Sequence, residues 1–158
     1  MENYTIFIVE DDAWYGEILE YHLSLNPDYV ICRFSNATDC LKNLHRKPDL
    51  VTIDYSLPDM QGGELFKKIK EFNPEIPAII ISSQENIATA VELLKAGATD
   101  YIVKDENAKD ILWNTIIRLR ETRFLKTEVN KLRSELGQKY SFETSIRGAS
   151  ASIHKYFP

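Results

Sequence analysis

Short β-branched runs alternate along the chain with longer stretches whose apolar residues recur every three or four positions. The runs predict strands at residues 4–9, 29–34, 50–53, 78–82 and 101–103, and the stretches between them predict helices. A fifth helix is predicted to begin near Asn107 and to continue past Leu119. Strict alternation of strands and helices requires parallel strands joined by right-handed crossovers. The pattern therefore predicts an α/β fold, an open parallel sheet with helices on both faces.

Polar side chains follow the predicted strands at one edge of this sheet. In parallel sheets the ligand site lies beyond the carboxyl ends of the strands, near the point where strand order reverses. We therefore expect the residues at these ends to form one site, namely Glu10, Asp11, Asp12, Asp54, Ser82, Ser83 and Lys104.

Carboxylates gathered in a poorly solvated pocket repel one another, so the cluster favours a hard divalent cation, and Mg²⁺ fits an all-oxygen set best. An aspartate beside such a cation, with an ammonium and a hydroxyl nearby, can accept a phosphoryl group, and Asp54 is the candidate nucleophile. The first strand–helix turn lacks the glycines of a dinucleotide site. Each residue alone is usually a cap or a surface charge, and the hypothesis depends on their joint placement.

Composition limits the other possibilities. The chain has 158 residues, of which 44% are hydrophobic and 27% charged, as in folded soluble domains. The apolar runs are too short to cross a bilayer, and Cys32 and Cys40 lack metal-ligand spacing, so we expect a cytoplasmic protein without membrane contact. Residues 1–109 are acidic and residues 110–158 moderately basic, which argues against direct binding of nucleic acid by this chain.

Four segments together resemble the receiver domain of two-component response regulators. They are IFIVEDD at residues 6–12, LVTIDYSLPDMQGGEL at 50–65, IIISS at 79–83 and AGATDYIVK at 96–104. The resemblance covers roughly residues 3–120. It implies a flavodoxin-like five-stranded sheet with strand order 2-1-3-4-5, followed here by a C-terminal helical extension.

The resemblance also implies a role for each matching residue. Asp54 would be the phospho-acceptor, and Mg²⁺ would be held by Asp11, Asp54 and the backbone carbonyl of Ser56, with Glu10 acting indirectly or through water. Asp12 would lie just outside these ligands. The phosphoryl group would be bound by Ser82 and Lys104 beside Ser83, and the rotamer of Tyr101 would report the phosphorylation state.

Two positions depart from the family pattern. Asp105 follows Lys104 where the family usually has a proline in a cis peptide. Because a cis bond before a non-proline residue costs about 2.5 to 4 kcal/mol, we expect a trans peptide and a rearranged loop. The switch hydroxyl is a serine, Ser82, rather than the commoner threonine, and it keeps the donor.

The segment after residue 120 carries a short heptad pattern. Leu125, Val129, Leu132 and Leu136 fall at positions d, a, d and a, which predicts the seam of a homodimeric coiled coil. In a parallel dimer Glu121 would face Lys126 of the partner subunit, and Glu128 would face Arg133 of the partner subunit. The pattern covers only about two heptads, so an amphipathic helix packed on its own or a missing domain remains the alternative.

The last residues suggest a longer protein. We expect Gly137 to end the helix, which divides the chain into a receiver domain (1–120), a helical linker (121–139) and a tail (140–158). The run FETSIRGASASI resembles the entry into the ATPase domain of sigma-54-dependent, NtrC-like transcriptional activators. The chain is therefore interpreted as the N-terminal part of such an activator, whose ATPase and DNA-binding domains lie beyond it.

These observations predict a phosphorylation-controlled switch that is not itself an enzyme. A histidine kinase would phosphorylate Asp54, and the linker dimer would then control assembly of the downstream ATPase. One alternative is a phosphorylation-independent interaction module. Another is a Mg²⁺-dependent phosphohydrolase, but Ser56 stands where such enzymes place a second aspartate, and His22 and His45 lie in predicted helices rather than at strand ends.

Overall fold

A computed structural model describes the backbone of residues 3–147 and the side-chain surroundings of residues 3–137. Strands and helices alternate as the sequence predicts, and a 3₁₀ turn at Leu44–Arg46 follows the second helix. The strands are β1 (Tyr4–Val9), β2 (Tyr29–Phe34), β3 (Leu50–Asp54), β4 (Ala78–Ser82) and β5 (Asp100–Val103). The helices are α1 (Ala13–Leu23), α2 (Ala37–Lys42), α3 (Gly62–Phe72), α4 (Ile87–Lys95) and α5 (Ala108–Arg147).

The five strands form one parallel sheet in the order β2-β1-β3-β4-β5, which confirms the predicted topology. The order reverses at β1, so the connections from β1 and β3 leave the sheet in opposite directions and open a crevice between the two strand ends. Ile53 of β3 pairs with Val9 of β1 on one side and with Ile80 of β4 on the other. The residues that follow Val9 and Ile53 are therefore brought to the same edge.

Alternate residues of the strands pack into two apolar layers. One layer joins Phe7, Val51 and Ile80 to buried residues of α2, α3 and α4, such as Cys40 and Phe66. On the other side of the sheet α1 contacts β1 and β2. Because helices cover both faces, β3 and β4 are buried along their whole length, which explains why apolar residues predominate in both strands.

Side-chain caps mark the starts of three helices. Asp12, Asn36 and Asn86 each accept hydrogen bonds from backbone N–H groups of the first turn of α1, α2 and α4. Gly97 lies just after the end of α4 and has a φ of 109°, in the left-handed region that favours glycine. These local signals place the turns that carry the chain to and from the edge where the polar residues lie.

The chain divides into two compact units, residues 1–113 and residues 114–158. In the first unit the Trp113 ring lies 5.3 Å from the ring of His22 and 5.9 Å from that of Tyr29. In the second unit the four predicted seam residues are 44 to 61% exposed in the single chain. Within the described part of the chain, no helix has the length and apolar character needed to cross a membrane.

One prediction about the second unit is wrong. Gly137 does not end the helix, because α5 continues to Arg147. A glycine inside a helix costs about 1 kcal/mol relative to alanine, but it stops the helix only when it takes up a left-handed conformation, and Gly137 does not. The predicted tail (140–158) is thus helical up to residue 147, and the rest of it lies outside the described residues.

Candidate functional site

Three carboxylates meet at the carboxyl edge of the sheet, as predicted. Glu10 follows β1, and its backbone N–H donates to the carbonyl of Phe34, while Asp54 is the last residue of β3. Carboxylate oxygens of Glu10, Asp11 and Asp54 all lie within 4.8 Å of one another. Glu10 is 7% exposed and Asp54 4%, whereas Asp11 is open to solvent. The cluster thus forms an acidic pocket with two buried carboxylates and one exposed carboxylate.

In the part of the chain that the structure describes, Lys104 supplies the positive charge of this pocket. Its Nζ lies 2.7 Å from Oε1 of Glu10 and 3.4 Å from Oδ1 of Asp54. Its backbone N–H donates to the carbonyl of Ser82 at 2.7 Å, which fixes the start of the side chain at the end of β5. Burial lowers the pKa of Lys104, but the paired Glu10 and Asp54 outweigh that effect, and the net shift of the pKa is upward. The ammonium stays charged.

The two aspartates of this pocket have raised pKa values. Burial, followed by Glu10, raises the pKa of Asp54, although the Ser56 N–H donates to its Oδ1 at 3.1 Å and acts the other way. The hydrogen bond with Asp54 raises the pKa of Asp11, and burial adds to it. One ammonium is too little for three carboxylates, and the three hard oxygen donors are those that Mg²⁺ prefers.

Asp12 is turned toward its own helix. Its Oδ1 accepts from the N–H groups of Trp14 and Tyr15, and its backbone N–H donates to Oε2 of Glu10 at 3.2 Å. The side chain therefore caps α1, while the backbone fixes the orientation of Glu10.

The predicted switch residues meet at the backbone of Gln84. Ser82 is buried, and its Oγ accepts from the Gln84 N–H at 3.1 Å. The Tyr101 hydroxyl donates to the Gln84 carbonyl at 3.1 Å. Ser83 is exposed. Since Ile81 pairs with Asp54 across the sheet, Ser82 lies one residue beyond the level of Asp54. Gln84, which sequence reasoning missed, joins the serine and the tyrosine.

The loop after β3 is closed by a glycine. The Gly62 N–H donates to the carbonyl of Tyr55 at 2.8 Å, and Ser56 forms an isolated bridge with Gln61. A Cβ at Gly62 would lie 2.5 Å from the carbonyl oxygen of Asp54, so no other residue fits without moving the backbone. This requirement was also missed, although the Gly62-Gly63 pair was a visible signal.

The loop after β5 is organised by Asp105. Among the residues that the structure describes no peptide bond is cis, so the Lys104–Asp105 bond is trans as predicted. The Asp105 N–H donates to the Val103 carbonyl, and Oδ1 of Asp105 accepts from the Asn107 N–H at 2.8 Å. The aspartate thereby forms a tight turn that leads directly into α5.

Two further residues are close to this edge for reasons that the sequence alone did not reveal. The ring of Tyr15 lies under Lys104, with its centroid 4.9 Å from Nζ. Asp59, in the loop after β3, accepts from the N–H groups of Ala37 and Thr38 and from the Thr38 hydroxyl. His22 lies instead beside Asp110, with 3.6 Å between Nε2 and Oδ1, away from the carboxylate cluster.

Comparison with known proteins agrees with this geometry. The sequence matches the response regulator receiver domain over residues 6–115. It is 38% identical over 104 residues to the transcriptional regulatory protein ZraR of Klebsiella oxytoca, an overlap of 65% of this chain and 23% of that protein. It is 35% identical over 106 residues to the DNA-binding transcriptional regulator NtrC of Proteus hauseri, an overlap of 66% and 22%.

Solved structures show the same fold. The BeF3-activated receiver domain of DrrB, a Thermotoga maritima protein, superimposes with a TM-score of 0.69 at 27% identity, over 75% of this chain and 98% of that one. The chain spans less than a quarter of the length of the ZraR and NtrC relatives. Since the match covers most of the chain, including every residue of the acidic pocket, the chain belongs to the response regulator receiver domain family.

Proposed function

We propose that this protein is a phosphorylation-controlled switch in which Asp54 accepts a phosphoryl group from a histidine kinase. The observation that carries the proposal is the buried Asp54 carboxylate, clustered with Glu10 and Asp11 and 3.4 Å from the Lys104 ammonium. Phosphoryl transfer asks a protein mainly to position the groups and to neutralise charge. This pocket has a nucleophile, a cation and room for a metal ion within a few ångströms.

In the proposed reaction a carboxylate oxygen of Asp54 attacks the phosphorus atom of the donor. The bond between phosphorus and the donor's histidine nitrogen breaks, and its electron pair stays on that nitrogen. Lys104 is already within 3.4 Å of Asp54, so its ammonium can pair with the phosphoryl oxygens without a large movement. Ser82, buried at the end of β4, is the hydroxyl we assign to binding the transferred group.

The pocket also fits Mg²⁺. Asp11, Asp54 and the backbone carbonyl of Ser56 would hold the ion, with Glu10 acting indirectly, because Glu10 is already paired with Lys104 at 2.7 Å. When bound, the ion neutralises the charge that develops on the phosphoryl group. The exposed position of Asp11 leaves an open side from which the ion and the donor can enter.

The response to phosphorylation begins at Gln84. If the Ser82 hydroxyl turns to a phosphoryl oxygen, it loses the hydrogen bond that it accepts from the Gln84 N–H. The backbone carbonyl of Gln84 accepts a hydrogen bond from the Tyr101 hydroxyl. We therefore infer that the loop after β4 and the Tyr101 ring move together. New charge-assisted hydrogen bonds at Asp54 bias this two-state element.

The output is proposed to pass through the second unit. The ZraR and NtrC relatives are transcriptional regulators several times longer than this chain, and the sequence after residue 140 resembles the entry into a sigma-54 activator ATPase. We infer a cytoplasmic homodimer formed by residues 121–139, with ATPase and DNA-binding domains in a longer protein. Phosphorylation would alter this dimer and so control the ATPase.

The first test is the acceptor itself. The purified chain is incubated with acetyl phosphate, with and without Mg²⁺, and its intact mass is measured. We expect a Mg²⁺-dependent gain of one phosphoryl group that Asp54→Asn loses. The control Asp59→Asn, the same type of change in the loop that follows β3, should keep this gain. A folded wild-type protein that gains nothing would contradict the proposal and favour a phosphorylation-independent interaction module. Rapid turnover of a phosphomonoester would instead favour a phosphohydrolase.

A further inference from the structure

The Lys104 ammonium has a third neighbour besides its two carboxylates. The centroid of the Tyr15 ring lies 4.9 Å from Nζ, within the range of a cation–π interaction. The lysine side chain is only 16% exposed, so water screens this contact weakly. Such an interaction is stronger in a desolvated pocket than at an open surface. The ring thus contributes to where the ammonium lies.

Tyr15 is held firmly beside the pocket. Its backbone N–H donates to Oδ1 of Asp12 at 3.3 Å, and the next N–H, that of Gly16, donates to the Asp12 carbonyl at 2.9 Å. Asp12 directly follows Asp11 and gives its own N–H to Glu10. The capped first turn of α1 therefore ties the ring to the same short segment that supplies two of the three carboxylates.

The phenol oxygen takes no visible part in this arrangement. It is buried and finds no hydrogen-bond partner among the residues that the structure describes. Burial, followed by the negative charges of Glu10, Asp105 and Asp54, raises the pKa of Tyr15 to about 12, so the ring stays neutral. A neutral ring face attracts an ammonium, and the contact with Lys104 is made by the ring rather than by the oxygen.

We propose that Tyr15 is a positioning residue, whose aromatic face holds the Lys104 ammonium against Asp54 before and during phosphoryl transfer. This inference rests on the proposed function. Without the ring, the remaining partners of the ammonium among the described residues are Glu10 at 2.7 Å and Asp54 at the longer distance of 3.4 Å. The lysine would then shift toward Glu10, and the charge that the phosphoryl group needs would be less well placed.

Paired variants separate the ring from the hydroxyl. Tyr15→Phe keeps the aromatic face, whereas Tyr15→Leu and Tyr15→Met fill similar space without one. With acetyl phosphate and Mg²⁺, we expect Tyr15→Phe to be phosphorylated within twofold of the wild-type rate. Both aliphatic variants should be about tenfold slower, a loss within the usual range for a desolvated cation–π contact. Thermal unfolding identifies any variant that fails to fold. With two aliphatic variants, the comparison with Tyr15→Phe can still be made if one of them does not fold.

A second measurement follows the contact without any phosphorylation. Lys104 Hε protons near an aromatic ring have shifted proton resonances, which Lys104→Arg assigns by their disappearance. We expect the shift to persist in Tyr15→Phe and to vanish in both aliphatic variants. Equal rates in all folded variants would overturn the proposal, and so would a Tyr15→Phe variant as slow as the aliphatic ones. If the wild-type chain is not phosphorylated, the proposed function fails, and unshifted Lys104 resonances would separately refute the contact.

Discussion

Gly62 shows how a single residue without a side chain can hold in place the loop that follows Asp54, the proposed phospho-acceptor. Its backbone passes so close to β3 that a Cβ would lie 2.5 Å from the Asp54 carbonyl oxygen and 2.7 Å from Cα of Tyr55. Both contacts are with backbone, which cannot rotate away. The neighbouring Gly63 is different, because a Cβ there would meet only side-chain atoms at 3.5 Å or more.

This difference predicts opposite outcomes for two similar substitutions. Gly62→Ala should lower the free energy of unfolding by about 1 to 3 kcal/mol, the usual cost of forcing extra atoms into a packed site. Gly63→Ala should leave it within about 0.5 kcal/mol or raise it slightly, since alanine is the better helix former. Urea unfolding of both variants and the wild type gives the comparison. Equal midpoints for the two variants would show that the close approach at Gly62 is not maintained in solution.

Residues at strand ends could be predicted from the sequence, and residues that reach the site from helices could not. Asp54 and Lys104 follow apolar runs, and parallel strands bring their ends together whatever the details of packing. Tyr15 lies in a helix, and its contact with Lys104 depends on the position of α1 against the sheet. Periodicity predicts that α1 exists, but the distance between a ring on a helix and an ammonium on a strand is a property of the folded chain.

At the scale of elements, α2 is a short helix that depends on its N-terminus. It has only six residues, and two side chains serve its first turn: Asn36 accepts from the Asp39 N–H, and Asp59 accepts from the Ala37 and Thr38 N–H groups. These hydrogen bonds lower the pKa of Asp59 to about 2, with the Thr38 hydroxyl contributing most. The loop after β3 is thereby fastened to the neighbouring helix.

The Asp59 contacts should make stability depend on pH in a defined range. Because the folded-state pKa is depressed below 3.8, the carboxylate stabilises the fold fully above pH 4, and this contribution is lost as pH falls toward 2. Asp59→Asn should cost about 1 kcal/mol at pH 7, a modest figure because the group is exposed and screened by solvent.

Unfolding of Asp59→Asn and the wild type is measured between pH 7 and pH 2. We expect the difference between the two to shrink through the acid range. The control Glu71→Gln removes an exposed carboxylate from α3 and should show a smaller difference at pH 7. A difference for Asp59→Asn that stays constant down to pH 2 would mean that the charge of Asp59 contributes nothing to capping.

Among the secondary-structure elements, α5 is the one whose length the sequence predicted least well. Gly137 resembles a helix stop, yet α5 continues to Arg147. A glycine stop depends on the chain turning into the left-handed region, and nothing in the sequence after Gly137 requires that turn. In a helix interior, glycine costs only about 1 kcal/mol relative to alanine, so one glycine among good helix formers is tolerated.

At the scale of the whole molecule, the helical linker (121–139) has an exposed apolar face through which the receiver unit could transmit its phosphorylation state. Leu125, Val129, Leu132 and Leu136 are each 44 to 61% exposed in the single chain, at the a and d positions of two consecutive heptads. Isolated apolar side chains are common on surfaces, but four in a heptad register are typical of a helix that pairs. A second copy of this chain presents the same face.

The dimer proposal leads to a matched pair of variants on this helix. Leu132→Asp puts a charge into the seam, whereas Ser134→Asp puts the same charge two residues away, at the f position outside the seam. We expect the wild type to show concentration-dependent dimers in sedimentation velocity, Leu132→Asp to weaken them at least tenfold, and Ser134→Asp to match the wild type. The runs are repeated after treatment with acetyl phosphate and Mg²⁺.

A wild type that stays monomeric at every concentration would refute the linker dimer. If the dissociation constant of the dimer is the same before and after phosphorylation of Asp54, the dimer exists but is not the output of the switch. The reason is that a modification shifts an equilibrium only by its differential effect on the two states.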